Sequence, residues 1–128
     1  MRRVAAACLI AGTALAGCAA PRQTLGTSAS ACFRSLPTAR AAVRQQGRLV
    51  GVRRISRVHL SRDFPQAALP NDKDFCVVAF SDSFRSDQVD KASGASTGKN
   101  AVVIVNMRGN SLIQTWLTDR VPFRITHR

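Results

Sequence analysis

The sequence predicts an α+β fold, with one N-terminal helix packed on a small antiparallel sheet of four to five strands. Three observations carry this expectation. Phe33, Leu36, Ala39 and Val43 recur at helical spacing ahead of any strand-like pattern. Two segments of strand length follow, the continuous apolar run Phe75 to Phe80 (FCVVAF) and Ala101 to Met107 (AVVIVNM), apolar but for Asn106. Clusters of Gly, Pro, Asn and Asp divide the remainder into short segments, so a helix is followed by strands joined through turns.

The helix is expected from Ser35, whose hydroxyl can cap it, to Gln46, with Pro37 tolerated in the first turn and Gly47 just past the end. Arg40 and Arg44 sit four apart beside the apolar stripe, a mildly unfavourable like-charge pair on an isolated helix. From Arg48 to Leu60 the pattern turns strand-like. Val50 and Val52 share one face and Ile55 falls on the other, which implies a bulge or a break near Arg53–Arg54. Residues 61–74 carry two Pro and three Asp and read as a loop. FCVVAF is a buried central strand containing Cys76. Ser81 to Asn100 is polar, with a short helix around Phe84, Val89 and Ala92 as one option. AVVIVNM is the clearest strand, and Arg108-Gly109-Asn110 turns it into Ser111–Leu117. Pro122 separates a last short segment, Phe123–Thr126. The globular domain is therefore read as 32–128.

At 128 residues the chain holds one domain's worth of sequence. Apolar residues make up 45% and charged residues 20%, which excludes a disordered composition. No apolar run reaches the ~20 residues of a membrane-spanning helix.

The N-terminus has its own pattern. Met1-Arg2-Arg3 is a short positive region, Val4 to Ala16 is apolar, and small residues lead into Cys18. The tetrad Leu15-Ala16-Gly17-Cys18 resembles the lipobox of bacterial lipoproteins, a resemblance confined to residues 1–18. It implies a signal peptide over 1–17, cleavage after Gly17, a diacylglycerol thioether on Cys18 and acylation of the new amino group. The thiol is required because sulfur is the nucleophile that takes the lipid. Residues 18–31 then form the lipidated Cys and a small, polar, aperiodic tether. Ala19 rather than an acid after the Cys implies the outer membrane, periplasm-facing. Two other readings compete: a buried N-terminal core helix with an incidental Cys, and ordinary cleavage without lipidation. The first would be apolar all round and would open at residue 4 without a cap.

Loss of Cys8 with the signal peptide and acylation of Cys18 leave Cys32 and Cys76. An even pair in an exported chain reads as one disulfide, with two buried free thiols as the competing reading. Two isolated Cys with His59 and His127 show none of the close ligand spacings of zinc sites, so no metal or other cofactor is expected.

Catalytic patterns fare poorly. Gly94 to Asn100 (GASTGKN) has three residues between its glycines where a phosphate-binding loop needs four, Asn follows the Lys, and a strand comes next. Asn71-Asp72-Lys73-Asp74 runs directly into a hydrophobic strand and lacks the Gly of a calcium loop, so turn chemistry accounts for it better. No Ser sits in a nucleophile elbow. Glu is absent, which removes paired Glu acid–base chemistry, although Asp pairs stay open. His59 reads as a half-exposed strand residue, and Trp116 as a core or sheet-face residue with ligand stacking as the alternative. The chain is expected not to be an enzyme.

Charge is the most informative feature. The net charge is +12. Cys18 to Arg62 holds nine Arg and no acid, whereas Asp63 to Arg128 holds five Arg and three Lys against seven Asp. A balance this basic points toward nucleic acid, but export removes that partner and no recognition motif is present. The expectation is a lipid-anchored envelope protein whose basic half, Arg40, Arg44, Arg48, Arg53, Arg54 and Arg57, contacts an anionic surface. Phospholipid headgroups, lipopolysaccharide phosphates and peptidoglycan carboxylates are the available ones. The alternative is an accessory subunit that binds an envelope protein through the sheet edge or the C-terminal hairpin; a small envelope enzyme is third.

Replacing Cys18 by Ser is expected to block lipid attachment and leave a longer, unprocessed precursor, read by labelled fatty-acid uptake and by intact mass.

Overall fold

The structure, a computed structural model, describes residues 31–122 and Ile125. The signal peptide, Cys18, Arg22, the tether up to residue 30, His127 and most of the segment Phe123–Thr126 lie outside the described residues. The fold is mixed α/β: a five-stranded sheet with two short helices. In chain order the elements are α1 (Leu36–Ala42), β1 (Arg48–Ser56), α2 (Arg57–Asp63), β2 (Asp74–Arg85), β3 (Ala92–Gly94), β4 (Thr97–Asn106) and β5 (Leu112–Thr118). Strand order is β1-β2-β4-β5-β3. The pairs are antiparallel except β3 beside β5, which is parallel. The expectation of a wholly antiparallel sheet is corrected there. The chain leaves β2 at Arg85, crosses through a 3-10 turn at Ser86–Gln88, and reaches the edge beyond β5 running in the same direction as β5.

The two apolar runs form the paired centre of the sheet. Phe75 through Phe80 and Ala101 through Val105 are buried at every position, and their register pairs Cys76 with Val105 and Phe80 with Ala101. Successive side chains point to opposite faces. On one face Cys76, Val78, Phe80, Ala101, Val103 and Val105 form a cluster with Ala39, Ala42 and Val43 from α1 and its exit. On the other, Phe75, Val77, Ala79, Val102 and Ile104 cluster with Leu60 and Phe64 from α2 and its exit, and with Ile125. Phe64 packs tilted on Trp116 at 5.2 Å between ring centroids.

The second helix replaces the end of the expected long strand. Ser56 is at once the last residue of β1 and the N-cap of α2, its extended backbone letting the hydroxyl accept from the His59 N–H at 3.4 Å. Leu60 and Phe64, four apart, then fall on one buried face. His59 is therefore an exposed helical residue, not a strand residue, and the loop begins at Phe64 instead of Ser61.

Two further boundaries move. The bulge lies between Leu49 and Gly51, not near Arg53–Arg54. It turns Val50 toward the cluster of Ile55 and leaves Val52 in the other, so the two valines do not share a face. The first helix ends at Ala42 instead of Gln46, because Arg44 and Gln45 take left-handed φ values of 52° and 63°. The Gln45 N–H closes back on the Arg40 carbonyl at 2.8 Å. Ser35 makes no capping bond; its hydroxyl donates to Asn110 Oδ1 at 3.2 Å, beside Thr38, which donates to the Asn110 carbonyl at 2.9 Å. These bonds pin the start of α1 to the β4–β5 turn. Polar Ser81–Arg85 extends β2 rather than forming a helix: past an irregularity after Ser81, Phe84 pairs with Gly98 and Arg85 with Thr97.

Cys32 and Cys76 form a disulfide, both fully buried. Closing a loop with a sequence separation of 44 stabilises the fold by about 4 kcal/mol on chain-entropy grounds.

The double variant Cys32→Ala/Cys76→Ala is expected to lose about 2–4 kcal/mol in urea denaturation, and non-reduced peptide mapping of the natural chain to find the two peptides joined. Gly47→Ala is expected to cost about 1–3 kcal/mol, because φ there is 90° and a Cβ would sit 2.8 Å from Phe84 Cζ.

Candidate functional site

The sheet has two ends of different character. At one, β1 finishes at Ser56, β2 begins at Asp74 and β4 finishes at Asn106; their register sets Ser56 opposite Asp74 and Phe75 opposite Asn106. Cys76 lies two residues inside this end, opposite Arg54. Its disulfide therefore brings Cys32, where the N-terminal segment enters the domain, to the same end. At the other end, Gly47 packs against Phe80, Ser81 and Phe84, and β1 begins.

A cleft of about 590 Å³ opens at the Cys32 end, lined by Arg54, the 71–74 loop, Asn106, Met107 and Arg108. Its acids are already engaged. Arg54 Nη2 meets Asp74 Oδ2 at 2.7 Å, and Asn106 Nδ2 donates to Asp72 Oδ2 at 3.1 Å. Arg57 holds the loop at two points: its N–H donates to the Lys73 carbonyl at 2.7 Å, and its Nη1 to Asn71 Oδ1 at 2.8 Å. Asn106 Oδ1 also receives the Arg108 N–H at 2.7 Å. The side chains of Lys73 and Arg108 are exposed and make no hydrogen bond or ion pair among the described residues. Three cations against two carboxylates leave a net positive cleft, and Arg57 beside it adds a fourth cation. Chemically, this arrangement can hold an anion at its rim.

The six sequence-selected arginines do not come together. Arg54 and Arg57 belong to the Cys32 end. Arg48 opens β1 opposite Ser81, six residues away from Arg54, or ~20 Å of strand. Arg40 is occupied within the fold, where Nη1 donates to the Gly47 carbonyl at 2.8 Å and the guanidinium stands 4.7 Å from the Phe80 ring centroid. Arg44 faces Asp90 at 3.9 Å with both side chains exposed. Arg53 is half-buried in the middle of β1, opposite Val77. Part of the charge at the Gly47 end is paired locally. Arg85 closes two hydrogen bonds on Asp87 at 3.1 and 2.6 Å, which hold the Asp87 carboxyl below its usual range and raise the Arg85 guanidinium.

Lys73, Arg108, Asn71 and Asn106 are the site residues that sequence reasoning missed. Asn71 and Lys73 stand in NDKD and Arg108 in RGN, both read as turns and 35 residues apart between Lys73 and Arg108, while Asn106 lies near the end of AVVIVNM, read as a strand. Only the β2–β4 register joins them. Of the expected interaction elements, β1 does lie at a sheet edge, whereas the β4–β5 hairpin has β3 along the outer side of β5.

Arg40→Ala is expected to lower stability by about 1–2 kcal/mol, and Arg40→Lys to recover little of it, because the planar guanidinium serves both the carbonyl and the ring. A double-mutant cycle on Arg54 and Asp74, a partly exposed pair, is expected to return below about 1 kcal/mol. Chemical denaturation reads both.

Comparison with protein-family models, with curated proteins and with solved structures found no match to this chain.

Proposed function

We propose that the chain is a lipid-anchored, non-enzymatic protein of the bacterial cell envelope, acylated at Cys18, whose Cys32 end contacts an anionic envelope surface. The carrying observation is the Cys32–Cys76 bond, which roots the N-terminal segment at the end where Arg54, Arg57, Lys73 and Arg108 gather. A disulfide is itself favoured by an oxidising compartment such as the periplasm. With Cys18 in lipid, about a dozen tether residues separate the bilayer from Cys32, so this end is the first part of the domain to meet the surface. The outer membrane is the site that Ala19 favours. The arginines sharing the reading narrow to Arg54 and Arg57, joined by Lys73 and Arg108; Arg40, Arg44 and Arg48 fall away from it.

The alternative, docking on an envelope protein through the sheet edge, draws support from β1, a nine-residue strand at the margin of the sheet. A strand at an edge offers backbone donors and acceptors to an added strand.

Photo-crosslinking from single positions in the full chain, in cells, separates these readings. Position 108 is expected to capture envelope lipid or glycan and position 48 to capture little. A discrete protein band from position 48 would support the edge-docking alternative. Equal yields from both positions, or a chain free in the periplasm without incorporated fatty acid, overturn the anchored reading.

A further inference from the structure

Among the described residues, two large hydrophobic side chains are exposed: Phe33, at 39%, and Val58, at 63%. Single exposed apolar residues scattered over a surface need no explanation. These two are not scattered. Phe33 adjoins Cys32, whose disulfide fixes it beside the first residues of β2. Val58 adjoins Arg57, whose backbone and side chain both bond the 71–74 loop ahead of β2. They therefore belong to the same end of the sheet as the basic cleft, one on the α1 side and one on the α2 side.

We infer that the Cys32 end of the domain is an interfacial docking face for an anionic phospholipid bilayer, with Lys73 and Arg108 meeting headgroup phosphates and Phe33 and Val58 entering the interface. The inference deepens the envelope reading above and rests on it for the compartment. It chooses a bilayer over peptidoglycan for a physical reason. A glycan carboxylate would use the cations alone, whereas only a membrane interface offers both anionic groups and a place for apolar side chains. Basic side chains near such a surface are each worth about fivefold in partitioning, and this share fades beyond a Debye length of about 8 Å. Full burial of a side chain such as Phe33 or Val58 is worth roughly ten- to a hundredfold. Neither share is large alone, but together they suffice to hold the domain down on a surface to which the tether already confines it. The opposite end pairs Arg44 with Asp90 and Arg85 with Asp87 and leaves Arg48, Lys99 and Arg120 exposed; what it lacks, among the described residues, is an exposed large hydrophobic side chain beside them.

The test uses the full chain purified from host membranes and placed with two kinds of vesicle. One is phosphatidylglycerol with phosphatidylethanolamine, the other phosphatidylcholine, and both carry brominated acyl chains that quench nearby tryptophan. Three variants report position: Phe33→Trp, Val58→Trp and, at the opposite end, Ala95→Trp. The natural chain supplies the Trp116 baseline. Quenching at positions 33 and 58 is expected to be about twofold or more in the anionic vesicles, to weaken with salt, and to stay at baseline at position 95. Lys73→Ser/Arg108→Ser is expected to reduce it at both reporting positions. Quenching that is equal at all three positions, equal in both vesicles, or absent overturns the docking face. Non-reduced mapping of the Cys32–Cys76 peptide confirms that each variant is folded, and the exposed Val58→Trp alone decides if Phe33→Trp is not. Mass spectrometry of the same samples reads lipid on Cys18. An unlipidated chain defeats the anchored reading, while the quenching still decides the docking face by itself.

Discussion

Everything in this domain follows from a pair of strands that are apolar on both faces. In β2 and β4, Phe75–Phe80 and Ala101–Val105 have no position that tolerates water, and every one of them is buried. Antiparallel sheets commonly leave one face to solvent and then show alternation. These strands do not alternate, so cover is required above and below. One short helix can supply only one side. The second side is closed by α2, by the stretch that follows it and by Ile125 of the C-terminal segment. Even the bulge in β1 serves this demand. By inserting Val50, it lets neighbouring valines enter opposite clusters where strict pleating would have left both on one side. A second irregularity between Ile104 and Val105 does the same for β5, where Leu112 and Trp116, an even number of residues apart, enter opposite clusters.

The disulfide extends this order to the N-terminal boundary. Cys76 is part of the core on the α1 side, and Cys32, bonded to it, precedes the helix that covers that side. Ser35 and Thr38 add hydrogen bonds to Asn110 in the β4–β5 turn. The point at which the chain enters the domain is thus tied covalently to the central strand and non-covalently to a turn about 75 residues later. The entry point therefore keeps a fixed place at the cleft's end of the sheet.

Charge is redistributed by the fold. Along the chain, cations crowd the stretch before Asp63, and every acid lies from Asp63 onward. In space, second-half acids come back to first-half arginines: Asp74 to Arg54 and Asp90 to Arg44. What survives as unpaired positive charge at the Cys32 end comes partly from the second half, as Lys73 and Arg108. The positive face is therefore composed by strand register and not by the arginine-rich stretch alone, and arginines close in sequence, such as Arg48 and Arg54, lie toward opposite ends of the sheet.

The sequence alone determined the parts that depend on local physics. The two apolar runs read as buried strands and are buried strands, and Arg108-Gly109-Asn110 read as a turn and is one. The stripe through Leu36 and Ala39 marked a helix, although Phe33 stays exposed in the 3-10 turn before it and Val43 follows its end. The pairing of Cys32 with Cys76 followed from counting, given export. Tertiary structure decided the rest. Ser56 could continue a strand or cap a helix, and the need to cover the second face chose the cap. Arg44 and Gln45 left the helix early although their propensities favour it, because β1 must start where Gly47 meets Phe84. The short stretch Ala92–Gly94 carried no legible pattern, since its strand state depends on β5 being beside it. Half of the cleft was equally hidden: Lys73 and Arg108 read as turn residues until the β2–β4 register set them at one end of the sheet. Periodicity reports which side of an element is apolar; it does not report which distant polar residues the closing of the core will bring together.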